Sequence, residues 1–394
     1  MAPLFTACLA FSLQVLISSG LLDPQTPQGG LSTQLPQAGL NTDDSPFEGG
    51  KGDVKTKNTI KIGLLIQNET SVAAKNGAEL AILNANSKDD KGIKFELIVR
   101  SMEGPWGTGS REAVSMIFDQ NVIGILGSHD GRNAHLVEQV AAKSRVVFIS
   151  AWTSDPTLSE AFVPWFFNCV PTDLQQASSL TAEIYGKRKL SRIAVISDYS
   201  YDSQSALNNF IKVAAGENRP QPLKFIADSA TSNQDLGARL KRADIQGIVL
   251  FVHPPLSAKI AEGLKLQHVD LPVFGTVALM DENKISLQEM KNYESFIIVS
   301  AGTPTGNEDL SFREDYKKAY GISPGPVAGF AFDGMNLLIE AIRKSGSGYE
   351  KIQKTLTEIR YNGVTGTIRF DDKGNRKGNT GFVEIKNGIP VSLK

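Results

Sequence analysis

Ser128, His129 and Asp130 stand side by side, and they are the residue types of a nucleophile, a base and an orienting acid. Adjacent side chains cannot form that relay, which draws residues together through space in a set hydrogen-bond order. No G-x-S-x-G, H-E-x-x-H, P-loop or dinucleotide fingerprint occurs in the chain. A metal would need His129, Asp130 and His253 to converge from separate segments, so neither metal nor cofactor is expected. What Ser128 and His129 share with Trp152, Thr153, Ser154, Tyr199, Tyr201, His253 and Thr276 is position: each lies just beyond an apolar run. Hydroxyls, imidazoles and aromatic faces at such places are suited to holding a small molecule rather than transforming it. Ser128 and Ser154 also suit plain helix capping, and Trp152 suits packing.

The elements that must position these residues read as repeated strand–helix units. Val122–Leu126 is an apolar run ending in the polar turn Gly127–Gly131. A helical pattern follows, with Ala134, Val137 and Val140–Ala142 on one side and His135, Glu138 and Lys143 toward water. A second apolar run, Val146–Ile149, ends in Ser150–Asp155. This βαβ unit puts both turns at the same carboxyl edge, where open α/β sheets bind small molecules. Before it come a strand at Ile60–Ile66, a helix at Ala73–Asn86, a strand at Phe95–Val99 and a helix at Ser110–Asp119. After the short Phe166–Pro171 segment the alternation restarts, with strands at Arg192–Ile196, Leu223–Ala227, Gly247–Val252, Pro272–Phe274 and Ile297–Ser300. Late helices at Asp309–Tyr320, Val327–Ser345 and Tyr349–Ile359 are followed by an expected hairpin joining Gly366–Asn375 to Phe382–Ile385. The fold class is α/β, two doubly wound lobes.

The 394 residues exceed one average domain, and 41 Lys+Arg against 42 Asp+Glu give a net charge of −1. That balance argues against nucleic acid, which needs a basic face. Cys8 and Cys169 are the whole cysteine complement, so no disulfide framework is expected. Residues 1–22 read as an export signal or membrane anchor, and 23–57, rich in Pro, Gln, Gly, Ser and Thr, as a disordered tether. The expected location is the periplasm or cell envelope, with membrane contact only through the N-terminal segment.

From Thr59 to Lys394 the chain resembles the type I periplasmic binding proteins, in the branch that holds the branched-chain amino-acid (Leu/Ile/Val) binding proteins of ABC importers. The resemblance is carried by Gly124–Ser128, Ser150–Leu158, Tyr201 and Gly366–Gly374, in that order and spacing. It implies two Rossmann-like lobes joined by three crossovers near Val170–Thr172, Ser300–Thr303 and Tyr361–Gly366. Lobe one is then 58–171 plus 302–361, and lobe two is 172–301 plus 362–394. It further implies that a ligand carboxylate meets the Ser128 hydroxyl and backbone N–H groups near Trp152–Ser154. A helix start offers unpaired N–H groups and a partial positive charge, which supports that placement independently. Three departures leave the ligand class open. Gly275-Thr276-Val277-Ala278 stands where the amino-acid binders place an acid, Gly127 where some members have cysteine, and Gln67-Asn68-Glu69-Thr70 where a Gly-rich turn is usual. The expected ligand is therefore small, polar and carboxylate-bearing, its other end met by Tyr201 and His253, with Asp130 capping its own helix. The implied function is solute capture for an ABC importer, with the permease as partner and no enzyme activity. The alternative is a periplasmic ligand sensor, or a regulatory partner of an envelope enzyme, using the same fold without transport.

Overall fold

Near-continuous apolar runs such as Ile62–Ile66 and Val147–Ile149 fit parallel strands buried on both faces, and that is what the computed structural model contains. It describes residues 59–88, 92–128, 130–160, 162–228, 233–301, 310–378 and 380–393; the leader and the tether lie outside them. The first sheet takes β1 (Thr59–Ile66), β2 (Lys94–Ser101), β3 (Gly124–Ser128), β4 (Val147–Ser150) and β5 (Phe166–Asn168). All are parallel, in the order β2-β1-β3-β4-β5. Helices α1 (Val72–Ser87), α2 (Thr108–Phe118), α3 (Gly131–Ser144) and the short α4 (Thr157–Glu160) alternate with them.

The chain then enters α5 (Asp173–Thr181) through a capping box, in which Thr172 accepts from the Gln175 N–H and the Gln175 side chain accepts from the Thr172 N–H. A second alternation follows: β6 (Ile193–Ser197), α6 (Tyr201–Gly216), β7 (Leu223–Ile226), α7 (Asn233–Arg242), β8 (Gly247–Leu250), α8 (Leu256–Leu266), β9 (Val273–Gly275), the short α9 (Leu287–Met290) and β10 (Ile297–Ser300). Its parallel strands run β7-β6-β8-β9-β10, the same permuted order as the first sheet. Helices α10 (Leu310–Tyr320), α11 (Pro326–Ser345) and α12 (Tyr349–Glu358) come next, and α11 lies on α1, with Gly124 of β3 facing its Leu338.

The end of the chain corrects the expected hairpin. Gly366–Ile368 (β12) pairs with Tyr361–Gly363 (β11), not with the 382–385 segment. Gly381–Lys386 (β13) instead joins the second sheet antiparallel to β10 and turns directly into Ile389–Ser392 (β14). The turn is Asn387-Gly388, both at positive φ, the dipeptide a two-residue hairpin loop favours. The Asp371–Asn375 stretch closes on itself, with Asp371 accepting from the Lys373 and Asn375 N–H groups.

The contact of α1 with α11 is made backbone to backbone. A Cβ added at Gly77 would lie 2.2 Å from the Ala328 carbonyl oxygen. Gly77→Ala gains helix propensity but must push two packed helices apart, so we expect it to lower stability by about 1–3 kcal/mol. Thermal unfolding measures this, and an unchanged or raised Tm would contradict the packing described.

Candidate functional site

A 2-1-3-4-5 strand order places each sheet's crevice where the order reverses, between its first and third strands. In the first sheet these are β1 and β3, and the carboxyl ends meet at Ile66 and Ser128, which pair in register. In the second they are β6 and β8, whose continuations carry Asp198–Asp202 and His253. Ser128, Tyr199, Tyr201 and His253 thus stand at the two switch points.

The two edges are joined by hydrogen bonds. The Tyr201 hydroxyl donates to Asp155 Oδ2 at 2.8 Å, and the Gly131 N–H at the start of α3 donates to Asp202 Oδ1 at 3.1 Å. Ser154 Oγ donates to Asp173 Oδ1 at 2.6 Å, Ser205 Oγ donates to Asp173 Oδ2 at 2.7 Å, and the Asp173 N–H donates to the Ser154 carbonyl. Helix starts explain the partners. Asp130 caps α3 by accepting from the Asn133 N–H at 2.9 Å and from Asn133 Nδ2 at 3.0 Å, as the sequence suggested. Asp155 does the same for α4, accepting from the Thr157 N–H at 2.9 Å. Both Asp130 oxygens accept from Asn133, so this acid serves as the cap of α3.

Charge is concentrated here. Burial pushes the Asp173 carboxyl up to about 7, against the pull of its two serine donors. Burial and then the neighbouring Asp130 charge push Asp202 up to about 7. His135 is raised as well, which for an imidazole favours the charged form. Its hydrogen bonds to Asp155 and Glu138 raise it to about 9 despite burial. His135 Nε2 lies 2.8 Å from Thr157 Oγ1 and 3.3 Å from Asp155 Oδ2, and Nδ1 lies 3.4 Å from Glu138 Oε2. The sequence reading put His135 and Glu138 toward water; Glu138 is 4 % exposed and His135 is tied to Asp155, because α3 turns this face toward α4.

The remaining expected residues sort as follows. Thr153 is buried, with its carbonyl accepting from Asn168 Nδ2. Trp152 is half-buried and meets Phe330 of α11 edge-on, at 6.2 Å between ring centroids. Tyr199 is 73 % exposed, while Tyr201 opens α6 and spends its hydroxyl on Asp155. Burial, reinforced by the Lys284 charge, lowers His253 below the ordinary imidazole value, which keeps the ring neutral. Thr276 is buried at the start of a 3-10 turn over Val277–Met280. His129 and the Ser128 side chain lie outside the described residues. Among the described residues, no group of three or more His, Cys, Asp or Glu could hold a metal ion.

Sequence reasoning missed a second junction. Glu282 Oε2 accepts from the Val327 N–H at 2.9 Å and Oε1 from the Ala328 N–H at 2.8 Å, so a side chain that follows β9 caps α11. Asn283 Oδ1 accepts from the Ala73 N–H in the first turn of α1 at 2.9 Å. Burial pushes Glu282 up to about 8, against the pull of the α11 N–H groups. A signal existed at α11 alone: Gly325 has no side chain with which to cap it, so its first N–H groups required an acceptor from elsewhere, whereas Ser71 before α1 reads as a cap but makes no such bond.

Set against known proteins, residues 59–388 match the model of a family described as periplasmic binding protein. A leucine-bound ABC transporter substrate-binding protein from Desulfitobacterium hafniense superposes with a TM-score of 0.73 at 18 % identity, covering 85 % of this chain and 100 % of that one. LivJ, the branched-chain amino-acid transporter binding protein of Streptococcus pneumoniae solved with isoleucine, gives 0.74 at 18 % identity, covering 84 % and 97 %. A solute-binding protein of Rhodopseudomonas palustris in complex with 3,4-dihydroxybenzoic acid gives 0.73 at 17 % identity, covering 86 % and 96 %. Glutamate receptor 3.4 of Arabidopsis thaliana is 22 % identical over 368 residues, 81 % of this chain but 38 % of the receptor.

Proposed function

This chain belongs to the periplasmic binding protein family, and on that premise we propose that it is an exported solute-binding protein that captures a small, carboxylate-bearing molecule between its lobes for an ABC importer. The observation that carries this reading is the meeting of two switch-point edges, joined by Tyr201 to Asp155 and by Gly131 to Asp202. A ligand bridging such edges gains contacts to both lobes and so favours their closed arrangement. The proposed ligand contacts are the Ser128 hydroxyl, backbone N–H groups at Trp152–Ser154, and Tyr201, His253 and Thr276 from the second sheet, with His129 and Tyr199 beside them. Asp202 already takes the Gly131 N–H, so a carboxylate belongs on the Thr153–Ser154 side, away from α3. The domain limits read from the sequence, and export through the leader, belong to the same proposal.

Titration calorimetry against leucine, isoleucine and benzoates, the kinds of molecule seen in the structural relatives, identifies the ligand. With that ligand, Ser128→Ala is expected to weaken binding by about 0.5–3 kcal/mol, the loss of one hydrogen bond to a neutral or charged group. If Ser128→Ala leaves affinity intact while Asp130→Asn abolishes it in a folded protein, the carboxylate end is misassigned. A second reading, ligand sensing without transport, draws on the match to Glutamate receptor 3.4, of which this chain spans 38 %. Ligand binding with no association to a permease in the native membrane would favour it.

A further inference from the structure

Four large apolar side chains from four separate places in the sequence stand exposed around one opening. They are Val72 at the start of α1, Leu287 of α9, Ile322 between α10 and α11, and Ile389 just after the Asn387-Gly388 turn, exposed by 48, 70, 54 and 49 %. Single exposed apolar residues are ordinary, but their convergence on a concavity is not. The opening leads into a cavity of about 450 Å³, within the range of small-molecule sites. Its floor includes the buried Met280 and Met290, flexible and polarisable side chains that adapt to an apolar shape. No residue of the strand-end site lines it.

Two charged residues also face the cavity. Glu282 has one oxygen on the Val327 N–H and the other on the Ala328 N–H, so its acceptors serve α11. Arg313 of α10 is among the lining residues, and its side chain carries a guanidinium, a group that pairs with carboxylates and sulfonates. The walls come from both sides of the molecule. Val72, Arg313 and Ile322 accompany the helices packed on the first sheet, whereas Leu287 follows β9 and Ile389 begins a strand of the second.

We propose that this cavity binds a small molecule with an aromatic or branched hydrocarbon body and a single acid group, at a site separate from the strand-end site. The apolar body covers Val72, Leu287, Ile322 and Ile389, and the acid group faces Arg313. An occupant touches both lobes, so it also favours their closed arrangement, independently of the strand ends.

The test is a fluorescence titration of the full chain with 8-anilinonaphthalene-1-sulfonate, which carries an aromatic body and one sulfonate. Saturable binding of one dye per chain is expected. The double variant Leu287→Glu/Ile389→Glu should weaken it at least tenfold with unchanged circular dichroism and Tm. Ile389→Glu alone, on an exposed position, should move affinity the same way if the double variant loses its fold. Ser128→Ala and Phe118→Glu, the latter an exposed position on α2, should leave the affinity as it is. Several weak dye sites, wild-type affinity in the glutamate variants, or an equal loss in Phe118→Glu overturns the proposal. A loss in Ser128→Ala matching that of the double variant places the dye at the strand ends and also overturns it, whereas absent amino-acid or benzoate binding bears only on the proposed function.

Discussion

Arg376→Met should lower the unfolding free energy by about 3–5 kcal/mol, the usual consequence of removing one partner from a buried charged network. The side chain is 5 % exposed. Nη1 donates to the Cys169 carbonyl and to Thr365 Oγ1, each at 3.0 Å. Nη2 donates to the Thr365 carbonyl at 2.7 Å, with longer bonds to those of Thr367 at 3.3 Å and Ala301 at 3.4 Å. These acceptors sit on three connecting stretches: Cys169 after β5, Ala301 after β10, and Thr365–Thr367 between α12 and β13. One planar guanidinium therefore holds all three passages by which the chain moves between its sheets, a task its fixed fork of donors suits and a lysine's single ammonium does not. Asp333 completes the knot, accepting from the Val364 and Thr365 N–H groups at 2.9 and 2.8 Å and from Thr365 Oγ1 at 2.6 Å. Methionine fills much of the volume but leaves several buried carbonyls without a donor. Urea unfolding decides the matter: a loss under about 1 kcal/mol, or full recovery in Arg376→Lys, would show that the guanidinium does not hold these stretches.

Such knots are the part of the molecule that single-sequence reading does not reach. The parallel strands were legible because Ile62–Ile66, Val147–Ile149 and Ile193–Ile196 are buried on both faces and cannot afford polar positions. The Asp130 cap was legible because it stands immediately before the helix whose N–H it accepts. The Asn387-Gly388 turn was equally local, yet the sequence reading took Phe382–Ile385 as the second arm of the Gly366–Asn375 turn, whereas that segment pairs with β10 and, through Asn387-Gly388, with β14. Glu138 looked solvent-facing because helical periodicity counts charge as exposed, whereas His135 sits beside it as a partner. Glu282, Asn283 and Arg376 are different: Glu282 and Asn283 accept from N–H groups 45 and 210 positions away, and Arg376 reaches carbonyls 75 and 207 positions away, and no spacing rule connects residues at such separations. Of the candidate site, the switch-point placement was legible from the alternation of elements, while the bonds from Tyr201 and Asp202 across the lobes were not, since they depend on how two separately folded edges meet.

Stability should fall as pH rises from about 5 to 9, and Asp202→Asn should remove part of that fall. A carboxyl raised in the folded chain binds its proton more tightly there than in the unfolded chain, so stability drops between its ordinary value and its raised one. Asp173 and Asp202 are raised from 3.8 to about 7 and Glu282 from 4.5 to about 8, each chiefly by burial, so their losses fall between about pH 4 and 8. His135, raised from 6.5 to about 9 by its hydrogen bonds to Asp155 and Glu138, stabilises fully below pH 6.5 and ceases to do so as pH rises through 9. Asp155 acts oppositely: against burial, which pushes it up, the His135 and Thr157 hydrogen bonds together hold its carboxyl below 3.8, so its contribution is lost only in acid. Asp202 faces the charges of Asp130 and Asp155, which oppose its ionisation, and that of Lys284 and the Gly131 N–H, which favour it. Asparagine keeps a carbonyl oxygen for the Gly131 N–H and removes the charge. The variant should match the wild type only near the ordinary carboxyl value of 3.8 and below, where Asp202 is neutral in the folded and unfolded chain alike, and exceed it by about 1–2 kcal/mol at pH 8. Urea unfolding at both pH values supplies the comparison, and an Asp202→Asn protein less stable than the wild type at pH 8 would mean that the ionised carboxylate, not the neutral acid, is what α3 holds across the junction.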